Sequence, residues 1–527
     1  MKKSIFIAIL SISIMFSSIS CSNKTEQKSD NTNKSVTTAA TKTEAKDTLN
    51  VGNRSEPNSL CPQYSGGNDN ARVDTSLYDT LVEWDDSTNT VKPSVATEWE
   101  WLDSTHIAMT LRDDVYFSNG EQLTAKDVAF TFEQGSKYSL SNYYSKYDAE
   151  ATEIVDDQHI VIAFSAPWPS FVNVIASTHY ALLSLKSFED VNEDLSKLSR
   201  EPVGSGKYTV KEWKQGTSIT LERNDNYWNK EALPYFKYIK HTFLSDNATR
   251  ALSLKSGDID IAQDLAGSQV NDIDNTDGLT CIKKVQNTIN PIAFNYAVPA
   301  FQDDNVREAI ALVVNRNAFN QTDYGGYSKV AYSILGQGSP YYTECDVPEL
   351  DVEKAKKLME ESGYNDKNRL KLSLVAPFKD TEGTLLQNMI SQIYIDLEVQ
   401  VTDIATYLGY LFEGDFEIVF SELDNWDPLL ILDYIDSRLS YALAKGGSQY
   451  NGKNEAELHK LIDQIKVTTD EEVAAKLYAE LQQFVLDNNV LIGVQSVARF
   501  DAHSKSIEGI VYDVRGWSVL TNVHPVE

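Results

Sequence analysis

Residues 111–133, LRDDVYFSNGEQLTAKDVAFTFE, carry three local structure signals in succession. Residues 107–111 alternate large apolar side chains with smaller or polar ones, which is the period-two pattern of a half-buried β-strand. Residues 118–120, Ser-Asn-Gly, predict a turn because asparagine and glycine accept positive φ at little cost. Thr124 predicts a helix N-cap, and Asp127 stands three residues later, where the acid of a capping box belongs. The residues alone therefore predict a strand, a turn and the start of a helix.

The same stretch also resembles a family signature. It is similar to the pattern of the peptide-binding lipoproteins of bacterial ABC importers, which are extracellular solute-binding proteins of the oligopeptide, dipeptide and nickel class. The matching positions are Leu111, Arg112, Val115, Phe117, Gly120, Thr124, Ala125, Asp127, Val128, Phe130 and Thr131. Other segments that match patterns of the same family are residues 77–99, 202–208, 224–228, 257–260 and 355–364.

This resemblance implies an α/β fold of the periplasmic-binding-protein type, with two lobes, mixed sheets, a hinge and a ligand cleft between the lobes. Lobe I would take residues 47–290, with an inserted subdomain at about residues 74–200, and would be completed by residues 499–527. Lobe II would take residues 291–498. The crossings near 290 and 498 would form the hinge. A chain of 527 residues suits this division, since a single hydrophobic core rarely grows so large.

The N-terminus predicts an export signal. Two lysines precede an apolar run at residues 5–16, and small residues follow the run. Cys21 comes next, which resembles a bacterial lipobox, although Ser18 stands where leucine is usual. We therefore expect residues 1–20 to be a lipoprotein signal peptide and Cys21 to be lipidated; ordinary secretion with an incidental cysteine is the alternative. Residues 21–46 contain almost no large apolar side chains and predict a disordered tether.

Composition limits the classes of partner. The net charge of −30 argues against nucleic acid, whose phosphates need lysine and arginine partners. It also disfavours direct adsorption to anionic lipid, so we expect attachment to the cell membrane through the lipid on Cys21. The protein would then face the extracellular side or the periplasm.

Catalytic and metal motifs are missing from the sequence. It contains no G-x-S-x-G, H-E-x-x-H or C-x-x-C, and its histidines form no pair at helical ligand spacing. We therefore expect no enzyme activity, no cofactor and no metal site. Cys61 is expected to be a small buried residue, and one disulfide among Cys61, Cys281 and Cys345 stays open.

The candidate ligand contacts lie mainly in residues 421–428, SELDNWDP. The resemblance implies that this loop faces the cleft from lobe II, and that the Asp four residues before its proline, here Asp424, pairs with the α-ammonium of a peptide. A buried counter-charge suits a cation that has lost its water. Two alternatives remain: a shift of the alignment by one acid would give the role to Asp427, or Asp424 caps the loop.

Four further residues complete the candidate site. Asn425 lies in the same loop, and Trp426 is either an aromatic wall of the site or a buried anchor of the loop. Tyr64 and Trp517 are candidates from lobe I, with ordinary packing as the alternative for each.

Three local predictions concern helices elsewhere. Residues 76–83 predict a short helix or a turn, and residues 383–397 predict a helix. Thr469 and Glu472 have the spacing of a capping box at the start of another helix.

The function implied by the resemblance is capture of extracellular peptides and their delivery to a membrane permease. The protein would act as a monomer, closing its lobes over the ligand without chemistry. One alternative is the same scaffold with another solute, such as a metal chelate, an oligosaccharide or a signal peptide. A non-transporting surface receptor and a secreted hydrolase are further alternatives.

Overall fold

The computed structural model describes residues 46–64, 68–88, 90–138, 143–337, 339, 341–345, 347–377, 381–439 and 447–526. The predicted signal peptide, the predicted lipidation site at Cys21 and the predicted tether up to residue 45 lie outside these residues. Within the described ranges, no helix combines enough length with enough apolar composition to cross a lipid bilayer.

The β-strands are numbered in chain order. They are β1 Thr48–Asn53, β2 Val82–Asp85, β3 Thr90–Pro93, β4 Ala96–Trp101, β5 His106–Leu111, β6 Glu153–Ile154, β7 His159–Ala163, β8 Tyr208–Lys214, β9 Ser218–Arg223, β10 Tyr238–Phe243, β11 Ile261–Ala262, β12 Leu279–Phe294, β13 Leu370–Pro377, β14 Ile395–Thr402, β15 Ile418–Phe420, β16 Ile492–Ser504, β17 Ile507–Glu508, β18 Val511–Tyr512, β19 Ser518–Val519 and β20 His524–Pro525.

The α-helices are numbered in the same way. They are α1 Asn68–Leu77, α2 Ala125–Gly135, α3 Phe171–Val174, α4 Leu185–Asp190, α5 Leu195–Leu198, α6 Asn247–Ser256, α7 Val270–Asp274, α8 Asp304–Ala311, α9 Arg316–Tyr324, α10 Val352–Glu361, α11 Thr381–Ser391, α12 Ile404–Glu413, α13 Pro428–Asp433, α14 Glu455–Val467 and α15 Glu471–Asp487.

One mixed sheet of ten strands runs through the molecule in the order β14-β13-β15-β12-β16-β11-β1-β10-β9-β8. Its two longest strands, β12 and β16, pair antiparallel from Leu279↔Ser504 to Ile292↔Ile492, with irregular register at residues 285–291. Strands from the first half of the chain lie on one side of this pair, and strands from the second half lie on the other. The hinge crossings predicted near residues 290 and 498 fall within this pair.

Residues Lys46–Glu527 form one compact unit. The C-terminal tail packs beside the first strand, because Leu520 and Val523 share a buried apolar cluster with Leu49 and Val51. The end of the chain therefore returns to the half of the sheet where the described chain begins.

A second, four-stranded sheet has the order β4-β5-β7-β6. We call residues 96–190, which hold this sheet and helices α2 to α4, the small-sheet region. The predicted strand, turn and helix are confirmed here: β5 buries alternate residues, and Gly120 takes a φ of +89°. Thr124 donates from its backbone N–H and its hydroxyl to the Asp127 carboxylate, at 2.9 and 3.0 Å, so the predicted capping box is confirmed as well.

Three of the segments with family-like patterns pack against one another. Asp79 accepts hydrogen bonds from the Tyr227 hydroxyl at 3.0 Å and from the Trp228 indole N–H at 3.1 Å. Gly204 lies so close to helix α1 that a Cβ there would collide with the Leu77 carbonyl oxygen. These motifs thus have a structural purpose, since they fix the strand β8–β9 hairpin to the end of α1.

One predicted helix extends beyond the helix that the structure shows. The helix predicted over residues 383–397 ends at Ser391, and Ile395 already pairs with β13 as the start of β14. Tyr394 has a φ of +66°, which breaks the helical path and redirects the chain into the sheet.

The predicted capping box at Thr469 and Glu472 was also wrong. Asp470 is the N-cap of α15, and its carboxylate accepts from the Val473 N–H at 3.0 Å. Asp and Thr both cap well, so the spacing alone does not select between neighbours. Residues 76–83 differ from the prediction as well, because the helix there ends at Leu77 and a strand begins at Val82.

Cys61 and Cys281 are free thiols, so no disulfide joins any two of Cys61, Cys281 and Cys345. Cys61 is fully buried, as predicted, and burial raises the pKa of its thiol to about 12. A thiol in such surroundings is a packing group, since the reactive species is the thiolate.

Candidate functional site

The acidic loop, by which we mean residues 421–428, joins β15 to α13 and lies against β12. Leu423 and Ile289 exchange backbone hydrogen bonds at 2.9 and 3.1 Å, and the Leu423 side chain is fully buried. Because side chains alternate across an extended segment, Glu422 and Asp424 point to the face opposite Leu423. The hydrophobic anchor at Leu423 thus turns two carboxylates away from the core.

The Asp424 side chain is partly exposed, and one hydrogen bond to a described residue fixes it. Its Oδ1 accepts a hydrogen bond from the Thr288 hydroxyl on β12 at 2.9 Å. A carboxylate has about four acceptor positions, so this contact fixes its orientation and leaves capacity for a ligand.

Glu422 combines solvent exposure with a perturbed carboxyl. Its side chain is exposed, yet desolvation by the surrounding protein raises its pKa. The positive charge of Arg499 opposes this increase, and the negative charge of Asp424 adds to it. A carboxyl that water reaches while many protein atoms surround it lies in a recess and not on an open surface.

Trp426 stands where the acidic loop meets the small-sheet region. Its ring centroid lies 5.5 Å from that of Tyr143 and 5.8 Å from that of His179, and only 3% of Trp426 is exposed. Burial raises the pKa of Tyr143 to about 12, and the charge of Asp424 contributes to the same direction. Side chains from distant parts of the chain therefore meet around Trp426 and Asp424.

Two polar atoms in this aromatic group are buried without a hydrogen-bond partner among the described residues. They are the indole Nε1 of Trp426 and the Nδ1 of His179. Burial lowers the pKa of His179 well below its usual range, so the imidazole is neutral there. A buried polar atom without a partner costs about 1–3 kcal/mol, which a ligand that completes the hydrogen bond would recover.

Asp427 and Asn425 are held by the protein itself. Asp427 is the N-cap of α13 and accepts from the Leu429 N–H at 3.0 Å and the Ser170 hydroxyl at 2.9 Å. Its burial raises the pKa of the carboxyl. Asn425 is fully buried and donates to the Ile334 carbonyl at 3.1 Å. The two aspartates of the loop therefore differ, since Asp424 has free capacity and Asp427 ties the loop to the small-sheet region.

The Trp517 ring packs against the guanidinium groups of Arg499 and Arg72. The Arg499 guanidinium carbon is 3.7 Å from the centre of its ring and that of Arg72 is 4.6 Å away. Both arginines pair with Asp264, Arg499 at 3.3 Å. Trp517 is 3% exposed and thus supports Arg499, whose charge acts on Glu422. Tyr64, by contrast, is 38% exposed and packs against Tyr138, with ring centroids 6.0 Å apart.

Several residues of this site were not predicted from the sequence. Glu422 had a usable signal, because it lies two positions before Asp424 and an extended segment would place both acids on one face. Thr288, Tyr143, His179 and Arg499 had none, since they come from separate segments that only the fold brings together.

Comparison with known proteins identifies relatives over most of the chain. The model of the bacterial extracellular solute-binding proteins, family 5 Middle, matches residues 90–437. The oligopeptide-binding protein AppA of Bacillus subtilis is 24% identical over 520 residues, which cover 92% of either chain. The nickel-binding protein NikA of Staphylococcus aureus is 26% identical over 323 residues, which cover 60% of this chain and 63% of that protein.

A solved structure shares the fold. The periplasmic binding protein DppA of Helicobacter pylori, in complex with the peptide STSA, superposes with a TM-score of 0.76 at 21% identity. The superposition covers 91% of this chain and 98% of that one. It confirms the predicted two-lobed α/β fold class.

Proposed function

Because this chain belongs to the bacterial extracellular solute-binding proteins of family 5, we propose that it captures extracellular peptides in the cleft between its lobes. It then delivers them to the permease of an ABC importer. The names of AppA and of the DppA complex support a peptide as the solute, and that of NikA keeps a metal chelate as the competing class.

The observation that carries the proposal is the state of Asp424. Its carboxylate is oriented by Thr288, is turned away from the core by Leu423, and retains acceptor capacity beside Glu422. An α-ammonium has three donors and one positive charge, so it complements two adjacent carboxylates. Hydrogen bonds between ionised partners are about twice as strong as neutral ones, which favours this group over a hydroxyl.

Backbone groups of a bound peptide would form hydrogen bonds with the two unpartnered ring nitrogens of Trp426 and His179. An extended peptide presents carbonyl oxygens and N–H groups in alternation. The Trp426 indole N–H requires an acceptor, and the neutral His179 offers a ring nitrogen nearby. Recognition through backbone groups would make selection by side chain weak, except where a separate cavity receives the side chain.

Closure of the lobes supplies the mechanism. We take lobe I as residues 47–290 with 499–527 and lobe II as residues 291–498, so Ser170 and Asp427 belong to different lobes. Their hydrogen bond and the contact of Tyr143 with Trp426 are then contacts of the closed state. A ligand stabilises that state only through its higher affinity for it.

We also propose that the protein is attached to the cell membrane. Cys21 would carry the lipid that holds the protein at the outer side of the membrane, with residues 21–46 as the tether. Two acyl chains give stable anchoring where a single chain is marginal. The protein acts there as a monomer and leaves its peptide chemically unchanged.

A test compares free and N-acetylated peptides in the wild type and in the Asp424→Asn variant by calorimetry. Acetylation removes the ammonium, and the substitution removes the charge while keeping an acceptor for Thr288. We expect either change to weaken binding by about 10- to 100-fold, and both together to weaken it little further. Glu398→Gln on exposed strand β14 is the matched control. Equal binding of free and acetylated peptides by the wild type would contradict the role of Asp424.

A further inference from the structure

A cavity of about 490 Å³ opens beside the acidic loop. Trp426 and Pro428 line it from the loop, Trp101 and Ser170 line it from the small-sheet region, and Glu471 lines it from the start of α15. Its volume is within the range of small-molecule sites in proteins. The contacts described above use Trp426 but leave this space unassigned.

Three aromatic rings form the walls of the cavity, and each is fixed by the protein. Trp101 packs against Phe164 at 5.9 Å. Tyr341 has a φ of +62° and stacks on Tyr478 at 4.8 Å with an interplanar angle of 4°. A left-handed backbone is costly for a residue of this size, so the packing must hold Tyr341 in place. Each ring is therefore held in its orientation within its own lobe before any ligand arrives.

The charged residues around the cavity are all acidic. Asp103, Asp470 and Glu471 border it, and no lysine, arginine or histidine is among the residues that line it in the described part of the chain. Hydrogen bonds from the Thr105 N–H and from His106 lower the pKa of Asp103 to about 2, so this carboxylate is ionised. Aromatic faces with carboxylates at their edge attract cations, because the ring quadrupole and the ionic charge act in the same direction.

The Trp426 indole N–H, in the wall of the cavity, requires a hydrogen-bond acceptor and not a cation. The Trp426 indole N–H is buried and has no acceptor among the described residues. A simple cation has no lone pair to offer it, whereas a peptide carbonyl does. The cavity therefore suits a cationic group that is attached to a peptide.

In the chain, one residue separates Asp424 from Trp426, which lines the cavity. Asp424 and Trp426 are two positions apart, so their Cα atoms lie within ~7 Å, which is about the span of two extended residues. Lysine carries its charge on a flexible four-carbon stem, and arginine adds a planar group that stacks on aromatic rings. A side chain near the N-terminus of a peptide bound at Asp424 would thus reach the cavity.

We propose that this cavity is a specificity subsite that receives a lysine or arginine side chain from the first residues of the bound peptide. The inference rests on the proposed peptide-binding function and adds a preference to it. Asp103, Asp470 and Glu471 supply the counter-charge, and Trp101, Tyr341 and Trp426 enclose the apolar stem. The preference is for cationic over neutral side chains of equal length.

The first test probes the cavity without a peptide. The protein is labelled with ¹⁵N-tryptophan, and its indole signals are assigned with the Trp101→Phe and Trp426→Phe variants. We expect n-butylammonium, at matched ionic strength, to shift the Trp101 and Trp426 signals saturably, and n-butanol to leave them in place. Shifts of equal size with both compounds, or with neither, would overturn the proposal.

The second test compares Ala-Lys-Ala with Ala-norleucine-Ala by calorimetry. We expect the wild type to prefer the lysine peptide by about tenfold, which corresponds to about 1.4 kcal/mol, because the cation gains partly buried cation–π and ionic contacts. The Asp103→Asn, Glu471→Gln double variant should reduce that ratio to about twofold. Glu472→Gln, on the same helix but outside the cavity, is the matched control and should keep the wild-type ratio.

The outcomes separate this inference from the function on which it rests. Equal affinity for the two peptides in the wild type would refute the subsite and leave peptide capture intact. If neither peptide binds, the proposed function fails, and the butylammonium experiment still decides whether the cavity takes a cation.

Discussion

At the scale of single residues, the acidic loop separates two aspartates that the sequence could not distinguish. The Asp424 side chain is partly exposed and accepts one hydrogen bond among the described residues, whereas Asp427 is buried, caps α13 and binds Ser170. Both are Asp in the same short loop, so only the fold shows that Leu423 turns the first outward. One aspartate therefore keeps acceptor positions for a partner, and the other serves the structure of the loop.

This difference between the two aspartates predicts that substituting them will change the free energy of unfolding by different amounts. Asp424→Asn should leave the free energy of unfolding nearly unchanged, because the residue is partly exposed and its contact with Thr288 survives. Asp427→Ala should lower the free energy of unfolding by about 1–2 kcal/mol, because an N-cap is lost. Urea denaturation measures both, with Asp427→Asn as the control that keeps the cap. A larger loss of stability from Asp424→Asn would contradict the assignment.

The buried carboxyl of Asp79 predicts how the free energy of unfolding depends on pH. Burial raises the pKa of its carboxyl to about 6, against an ordinary value of 3.8. Between pH 4 and pH 6 the folded state keeps a proton that the unfolded state has released, so the free energy of unfolding should fall as pH rises. The fall should total roughly 2–3 kcal/mol and level off above pH 6. It should disappear in Asp79→Asn, and identical pH profiles for the two proteins would rule out this account.

At the scale of elements, local signals were sufficient for the strand, turn and helix of residues 106–135. Their alternation, turn residues and capping box act within a few positions of one another. The start of β14 was not predictable in the same way, because residues 395–402 become a strand only through pairing with β13. The candidate site shows the same limit: the acidic loop was identifiable from its motif, whereas Thr288, Tyr143, His179 and Arg499 reach it through the fold.

If the hydrogen bond from Ser170 to Asp427 stabilises the closed state, its removal should weaken peptide binding. Ser170→Ala removes a contact that joins the small-sheet region to α13, at a cost of about 0.5–1.5 kcal/mol to the closed state. We expect peptide affinity to fall about 2- to 10-fold, mainly through faster dissociation, as measured by stopped-flow fluorescence. Ser87→Ala, on an exposed turn, is the control. Unchanged dissociation in Ser170→Ala would show that this contact does not hold the closed state.

At the scale of the whole molecule, the long strands β12 and β16 join two halves of one sheet. The fold class was accessible from the sequence because the resemblance covers many segments. The exact place where the halves meet was not, since both strands are continuous and their register is irregular at residues 285–291. The acidic loop lies beside that irregular segment, where it contacts Thr288 and Ile289.

Ligand removal should therefore lower the stability of the whole unit. A peptide present at 100 times its Kd should raise the free energy of unfolding by about 2.7 kcal/mol over the ligand-free protein. Calorimetric scans before and after unfolding, dialysis and refolding measure this difference. A protein whose unfolding temperature does not change when peptide is added back would not bind peptide in its folded state.

Native mass spectrometry of the chain from residue 47 onward, before and after release of its cargo, tests the central claim most directly. Peptide capture predicts a ladder of peptide masses that leave the wild-type protein and are largely absent from the Asp424→Asn variant. Release of one non-peptide mass, such as a metal chelate, would contradict the claim.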